Sequence, residues 1–321
     1  MKLWQKVLCA AVLDAALGDP PYRPHPARLM GRLAVVLENP CRRLVDDEKR
    51  AGTLAAALVV SSSLAAAGGL LRLARYVHPR AGDLVSVALL YTSLAARDLC
   101  THALGVERAL GAGDLDAARL AVSRMVGRDT TALDAEGVVR ATVESVAENT
   151  VDGVISPLFY ALVGGAPAAT AFKAVSTLDS TFGYKNERYT RFGWASARLD
   201  DAANYLPARL AVPFIAVAAG AVGRSPLAVL RTVRDDGRSH ASPNAGLAEA
   251  GFAGALGVRL GGPVSRDGRL VSVPYMGHPK RALSAGRIRE AVWLMWLAYG
   301  LVLGAGLALR CRGWYGLRAG A

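Results

Sequence analysis

The chain has 321 residues, 52% of them hydrophobic, with a mean hydropathy of +0.27 and a formal net charge of +12. That balance lies above the usual soluble range and fits several membrane-inserted helices joined by substantial polar loops. The basic excess comes with no recognisable nucleic-acid motif and no basic helix with interleaved aromatics, which excludes nucleic acid as the expected partner; anionic lipid headgroups and phosphorylated small molecules account for it better.

Residues 1–17 begin with two lysines and a short apolar run, but Asp14 interrupts the run and no small-residue cleavage site follows, so a retained first membrane helix is expected. Prolines bar a regular helix through the first half of 18–33, and Asp19, Arg23, His25 and Arg28 gather there in one polar loop. Residues 53–71 are uncharged and rich in Ala, Leu and Val, the clearest spanning segment, and 84–96 completes a helical hairpin with it. Residues 97–143 read as a water-exposed helical region, with Thr131 and Asp134 placed to cap the next helix. On that helix Arg140, Glu144, Glu148 and Asp152 follow at steps of four along one face, the pattern of a salt-bridged stripe or of a site.

Pro157, Gly164, Gly165 and Pro167 interrupt the apolar piece 153–176, which is either one kinked spanning helix or two half-length helices in a re-entrant hairpin. Pro207 and Pro213 pose the same question for 203–223. A polar region follows at 224–290, then a last apolar helix at 291–309 with Trp293, Trp296 and Tyr299 available as interfacial anchors. If every apolar segment spans, the loops at 18–52, 97–152 and 224–290 share the cytoplasmic side and 177–202 falls opposite. If 153–176 and 203–223 both dip in and return, all polar motifs share one face, the arrangement a single active site favours. The expected fold is therefore all-α, a single polytopic membrane domain over 1–321 with polar helical insertions at about 97–152 and 224–290. About four to six inserted helices are expected, some of them re-entrant.

Three groups carry chemistry. Glu144, Glu148, Asn149 and Asp152 cluster oxygen donors suited to Mg²⁺, which commonly bridges to substrate phosphates. Asp179, Lys185, Asn186, Arg188, Arg191, Arg198, Asp200 and Asp201, with Arg209 beyond them, mix both signs; arginine pairs bidentately with phosphate and lysine acts on it as a point charge. Asp235, Asp236, Arg238, His240, Ser242 and Asn244 occupy a turn-forming stretch. There is no GxxxxGK[ST], no GxGxxG after a strand, no HExxH and no GxSxG, so any nucleotide is held by other means. Cys9, Cys41, Cys100 and Cys311 are scattered without metal-type spacing, which implies no zinc site and no disulfide framework.

At these motifs the sequence resembles the CbiB/CobD family, the membrane adenosylcobinamide-phosphate synthases of cobalamin biosynthesis. The likeness runs through GDPPYRPHPARLMG at 18–31, ESVAENTVDGVISPLFYALVGG at 144–165, STLDSTFGYKNERYTRFGWASARLDDAANYLPARL at 176–210 and DDGRSHASPNAGLAEAGFAGALGVRLGG at 235–262. Ser176 stands where such proteins usually carry Asn, and Ala27 where Val often follows His-Pro. The resemblance implies ATP-dependent amide ligation at the cell membrane, joining adenosylcobyric acid to (R)-1-aminopropan-2-yl phosphate, ethanolamine phosphate or the free amino alcohol. ATP is the co-substrate, Mg²⁺ its companion, and no bound prosthetic group is expected. Partners are the corrinoid, the amino-alcohol phosphate, the bilayer and other enzymes of the pathway, with the active site on the cytoplasmic side.

Under that implication the candidates for catalysis are Glu144, Glu148, Asp179, Asp200, Asp201 and His240, with Asp179 or His240 taking the ammonium proton. Candidates for phosphate and substrate binding are Asp19, His25, Asn149, Lys185, Arg188, Arg198, Arg209, Ser242 and Asn244. Glu144, Glu148 and Asp152 are the candidate Mg²⁺ ligands. A transporter of a corrinoid or phosphorylated solute would use similar broken helices and mid-depth charges, and a non-catalytic scaffold for neighbouring enzymes is a further alternative.

Overall fold

The structure is a computed structural model that describes residues 1–19, 25–184, 186–266 and 268–319. Its helices are α1 (Leu3–Leu17), α2 (Pro26–Leu44), α3 (Glu48–Val77), α4 (Pro79–Tyr91), α5 (Ala96–Gly111), α6 (Leu115–Val122), α7 (Ala135–Asn149), α8 (Ser156–Phe182), α9 (Trp194–Ala221), α10 (Pro226–Asp236), α11 (Ala245–Leu256) and α12 (Gly286–Ala319). A π-helical stretch, Thr150–Ile155, joins α7 to α8, and a two-stranded antiparallel hairpin, β1 (Leu260–Arg266) with β2 (Arg269–Met276), follows α11. Among the described residues, five helical stretches are long and apolar enough to cross a membrane: Glu48–Val77, Pro79–Gly111, Ala135–Phe182, Trp194–Ala221 and Gly286–Cys311. This is the helical, multi-pass membrane architecture that the composition implies.

The chain forms two compact units: residues 1–95, 156–204 and 305–321 make the first, and 96–155 with 205–304 the second. Both polar insertions expected from the sequence lie within the second unit.

In the first unit, small residues on α3 let neighbouring segments approach closely. Ala51, Ala55, Ala56 and Val59 pack with Ala34 and Cys41 of α2 and with Leu178, Phe182 and Phe192. Gly52 lies directly under the Phe192 carbonyl and Gly193 under the Phe182 carbonyl, so a Cβ at either position has no room. In lipid, where apolar faces gain little by meeting, such close backbone approach supplies the van der Waals packing that holds helices together. Helix α8 breaks at Gly165, whose φ of 67° and ψ of −154° no L residue adopts without strain. The break frees carbonyls, and Arg310 of α12 satisfies two of them, donating to Leu162 O at 2.7 Å and to Val163 O at 2.5 Å. The segment 153–176 is therefore interrupted, as its Pro and Gly content suggested. By contrast, α9 continues through Pro207 and Pro213 without a break, so of the two arrangements left open for 203–223 the structure shows one continuous helix.

In the second unit α7 and α11 are the most buried helices: Val138, Val139, Val143, Val146 and Ala147 of α7 and Ala248, Ala250, Phe252 and Ala253 of α11 are all within its core. The region expected to be water-exposed thus includes a core helix. The N-cap of α7 is Asp134, which accepts from Gly137 N at 2.7 Å, while Thr131 turns to Asp129. The hairpin was not expected from the sequence. It begins at a bulge where Gly261 and Gly262 take φ of 81° and 99°, and Asp129 N donates to Ser265 O at 2.9 Å to fix it. Tyr299, expected at an interface, is buried, whereas Trp293 is exposed. All four cysteines are free.

Candidate functional site

Two polar clusters, one in each unit, gather most of the residues singled out in the sequence. In the first unit the centre is Glu38 of α2, only 2% exposed and absent from the candidates above. Arg188 grips its carboxylate with two bonds, at 2.9 and 3.1 Å; Arg42 donates at 3.1 Å and the Tyr189 hydroxyl at 3.3 Å. Arg42 also reaches Glu48 and the Arg188 carbonyl, and stacks 4.3 Å from the Phe192 ring centroid. Burial alone would raise the Glu38 pKa, but the bonds and charges of Arg188 and Arg42 outweigh it and hold the carboxyl below its ordinary 4.5. Arg188, a candidate for phosphate binding, here fastens the 186–193 segment to α2. Arg191 adds a second fastening to Asp47 at 2.9 Å.

Beside this latch, Asp200 accepts from Asn204 Nδ2 at 2.9 Å, and Asn204 accepts from the buried Ser156 hydroxyl at 2.6 Å, joining the start of α8 to α9. Tyr160 donates to Ala203 O at 2.9 Å in the same seam. Arg198 and Asp201 form an exposed pair one turn apart at 3.5 Å. Asp179 is half-buried against Gly183, with no space for a Cβ there. His25 is buried and its Nε2 lies 2.8 Å from Asp19, which places these two members of the expected polar loop side by side. Lys185 lies outside the described residues.

The second unit brings two distant motifs together. Arg209 on α9 lies over the Tyr205 ring at 3.4 Å and donates to Asn244 Oδ1 at 3.3 Å, 35 residues away in sequence. Asn244 opens α11, and the turn before it is held by Ser242, whose backbone N–H donates to His240 Nδ1 at 3.0 Å. That bond makes Nδ1 an acceptor and leaves the ring proton of neutral His240 on Nε2. Nε2 points to Glu249 Oε1 at 3.9 Å. Glu249, 5% exposed, is the only charged residue in the twelve-residue α11. Gly246 faces the His240 Cβ and the Gly237 carbonyl, so only a hydrogen side chain admits this fit. Histidine, buried carboxylate, amide and arginine together form a polar cluster whose chemistry suits moving one proton and orienting a polar or anionic group.

The acidic stripe separates by environment. Glu144 is buried and committed: it accepts from Arg128 at 2.6 Å and from Gly261 N at 2.6 Å, tying α7 to the bulge of the hairpin. Glu148 is exposed and Asp152 half-buried within the π-helical stretch, a rare geometry that recurs at functional sites. Asn149 donates back to Ser145 O at 2.9 Å. Among the described residues no three His, Cys, Asp or Glu side chains converge as a metal group, so the expected trio is not pre-assembled; its first member serves as a structural tie.

Comparison with known proteins decides the lineage. The model of the CobD/CbiB protein family matches residues 7–295. The chain belongs to that family. It is 49% identical over 290 residues to the cobalamin biosynthesis protein CobD of Geobacter metallireducens, covering 90% of this chain and 91% of that one. It is 44% identical over 306 residues to the CobD of Klebsiella pneumoniae, and 45% over 305 residues to the cobalamin biosynthesis protein CbiB of Salmonella typhi, each covering 94% of this chain and 96% of the relative. No solved structure matches. The CobD/CbiB span contains both polar clusters, while Arg310 lies beyond it.

Proposed function

We propose that this CobD/CbiB protein is an ATP-dependent amide ligase of cobalamin biosynthesis, joining a carboxylate of adenosylcobyric acid to (R)-1-aminopropan-2-yl phosphate or a related amino alcohol. The observation that supports the reading most is the convergence of Arg209, Asn244, His240 and Glu249 in one unit. A carboxylate resists attack by an amine, so it is first activated: its oxygen attacks the γ-phosphorus of ATP, ADP leaves, and an acyl phosphate forms. The amine nitrogen then attacks the acyl carbon, inorganic phosphate departs, and the ammonium proton must go to a base. His240 is that base in this proposal: it takes the proton at Nδ1, which the Ser242 N–H occupies in this structure and must yield, while Nε2–H stays directed to Glu249, which stabilises the imidazolium that results. Arg209 and Asn244 orient the phosphorylated partner. Glu148 and Asp152 offer the hard oxygen donors that Mg²⁺ takes, and one or two carboxylates with substrate phosphates suffice for it; Glu144 is excluded from that role by its bonds to Arg128 and Gly261. The bound ion would screen the charge of the triphosphate.

The test is formation of the amide product from adenosylcobyric acid, aminopropanol phosphate and ATP by the purified protein, read by mass spectrometry. Product that requires ATP supports the ligase. Its absence with every candidate amine, in folded protein, overturns it. The second reading, a transporter, draws on the helix break at Gly165; vectorial uptake into proteoliposomes without ATP-dependent amide formation selects it.

A further inference from the structure

The second unit holds another feature that the proposed chemistry does not use. A cavity of about 350 Å³ opens beside the N-terminal half of α7, lined by Glu136, Arg140, Arg259, Lys280 and Arg281 among others. Its volume falls in the range of small-molecule sites, about 300–1,000 Å³. Four cations against one carboxylate make the lining strongly positive, and the cations are only partly neutralised within the protein. Arg140 spends a terminal nitrogen on Glu136 at 2.6 Å, but its Nε is buried and has no hydrogen-bond partner among the described residues. Arg259 lies over the Tyr275 ring at 4.3 Å, and neither it nor the Lys280 ammonium makes an ion pair among the described residues. Arg281 is matched by Glu290 at 2.8 and 3.2 Å.

The cations come from separate parts of the chain and are held in place. Arg281 N donates to Gly257 O at 2.9 Å, which seats the 278–283 loop on the left-handed turn that ends α11, and the Arg281 side chain packs 3.5 Å from where a Cβ on Gly257 would sit. Cations gathered at a formed cavity repel one another unless an anion joins them, and an unpaired buried donor such as Arg140 Nε is destabilising until it finds an acceptor. Guanidinium groups with an ammonium beside them are the donor set that phosphate oxygens satisfy best.

From this geometry we propose that the Arg140–Arg259–Lys280–Arg281 cavity is a phosphate-binding site, filled by a phosphate ester or diphosphate from solution or by the phosphate of an anionic lipid. The inference stands on the cavity alone and does not depend on the ligase reading. Full-length protein in phosphatidylcholine nanodiscs is titrated calorimetrically with inorganic pyrophosphate. In parallel, protein extracted from mixed phosphatidylglycerol and phosphatidylcholine vesicles is assayed for retained lipid by native mass spectrometry. The comparison variant is Arg259→Gln with Lys280→Gln, two exposed side chains whose loss spares the core. A pyrophosphate dissociation constant raised at least about tenfold in the variant supports a soluble phosphate ligand. Loss of selective phosphatidylglycerol retention in the variant supports a lipid headgroup. Both probes binding the variant as they bind the parent, or neither binding the parent, overturns the proposal.

Discussion

Glu38 in the first unit and Glu249 in the second are both buried glutamates on helices, yet their surroundings differ in kind. Glu38 meets two guanidinium groups and a phenol, so its charge is fully answered and its oxygens are occupied. Glu249 faces the imidazole of His240 at 3.9 Å, a ring that can stand neutral or protonated. A carboxylate saturated by permanent cations fixes a loop; one facing a titratable ring can stabilise a charge that comes and goes. The arginine-rich motif of 176–210 ties the chain to itself through Arg188 and Arg191, whereas the less conspicuous SHASPNAG stretch places an imidazole beside a buried carboxylate.

The sharpest break in this contrast is Glu38→Gln. It leaves Arg42 and Arg188 facing a neutral amide, and because Arg188 is 61% exposed, water recovers part of the loss. The expected cost is on the order of 2 kcal/mol, below that of breaking a wholly buried pair, and appears as a lower Tm in detergent. The same pair gives an acid limb. The Glu38 pKa is lowered on folding from 4.5, so its stabilisation is complete above that value and disappears as pH falls through the folded value. The parent therefore loses stability below about pH 4.5 and Glu38→Gln loses less over the same window, measured as Tm against pH. Glu144→Gln, which weakens the ties to Arg128 and Gly261, is expected to cost about 1–2 kcal/mol by the same assay, without changing the Mg²⁺ dependence of product formation. Arg310→Ala unmasks the Leu162 and Val163 carbonyls near the Gly165 break and is expected to cost about 1 kcal/mol, since the exposed site admits water. Glu249→Gln sits at the small end for stability, within about 1 kcal/mol, because the amide keeps the size and an acceptor oxygen.

Much of the architecture was legible in the sequence because hydropathy and Pro/Gly punctuation act locally: the spanning segments from residue 53 onward and the interrupted stretch at 153–176 could be read, whereas the helix at 1–17, expected to be inserted, has 15 residues and is not among the five long enough to span. The uninterrupted α9 could not be read, since two prolines can be carried inside a long helix when neighbouring groups absorb the missing hydrogen bonds. The hairpin carried a signal that went unread, Asp267-Gly268 between Leu260–Arg266 and Leu270–Met276, the composition of a tight turn. Glu249 was visible too, as a lone acid in an apolar run, which in such surroundings marks a partnered group. Glu38 was harder: its meaning depends on Arg188, 150 residues away, and no spacing rule reports that contact. The acidic stripe misled because helical periodicity places side chains on a face but does not say which of them the fold buries.

The most direct test of the account is the rate of amide formation by His240→Gln, compared with the parent across pH at equal folded protein. The glutamine keeps a polar side chain near Ser242 and Glu249 but cannot take a proton. Loss of general-base catalysis predicts a fall of about 10²–10⁴-fold at neutral pH, partly regained as alkaline buffer deprotonates the amine without help from the protein. A variant that turns over at the parental rate and with the parental pH profile contradicts the assignment of His240 and Glu249 as the proton-transferring pair.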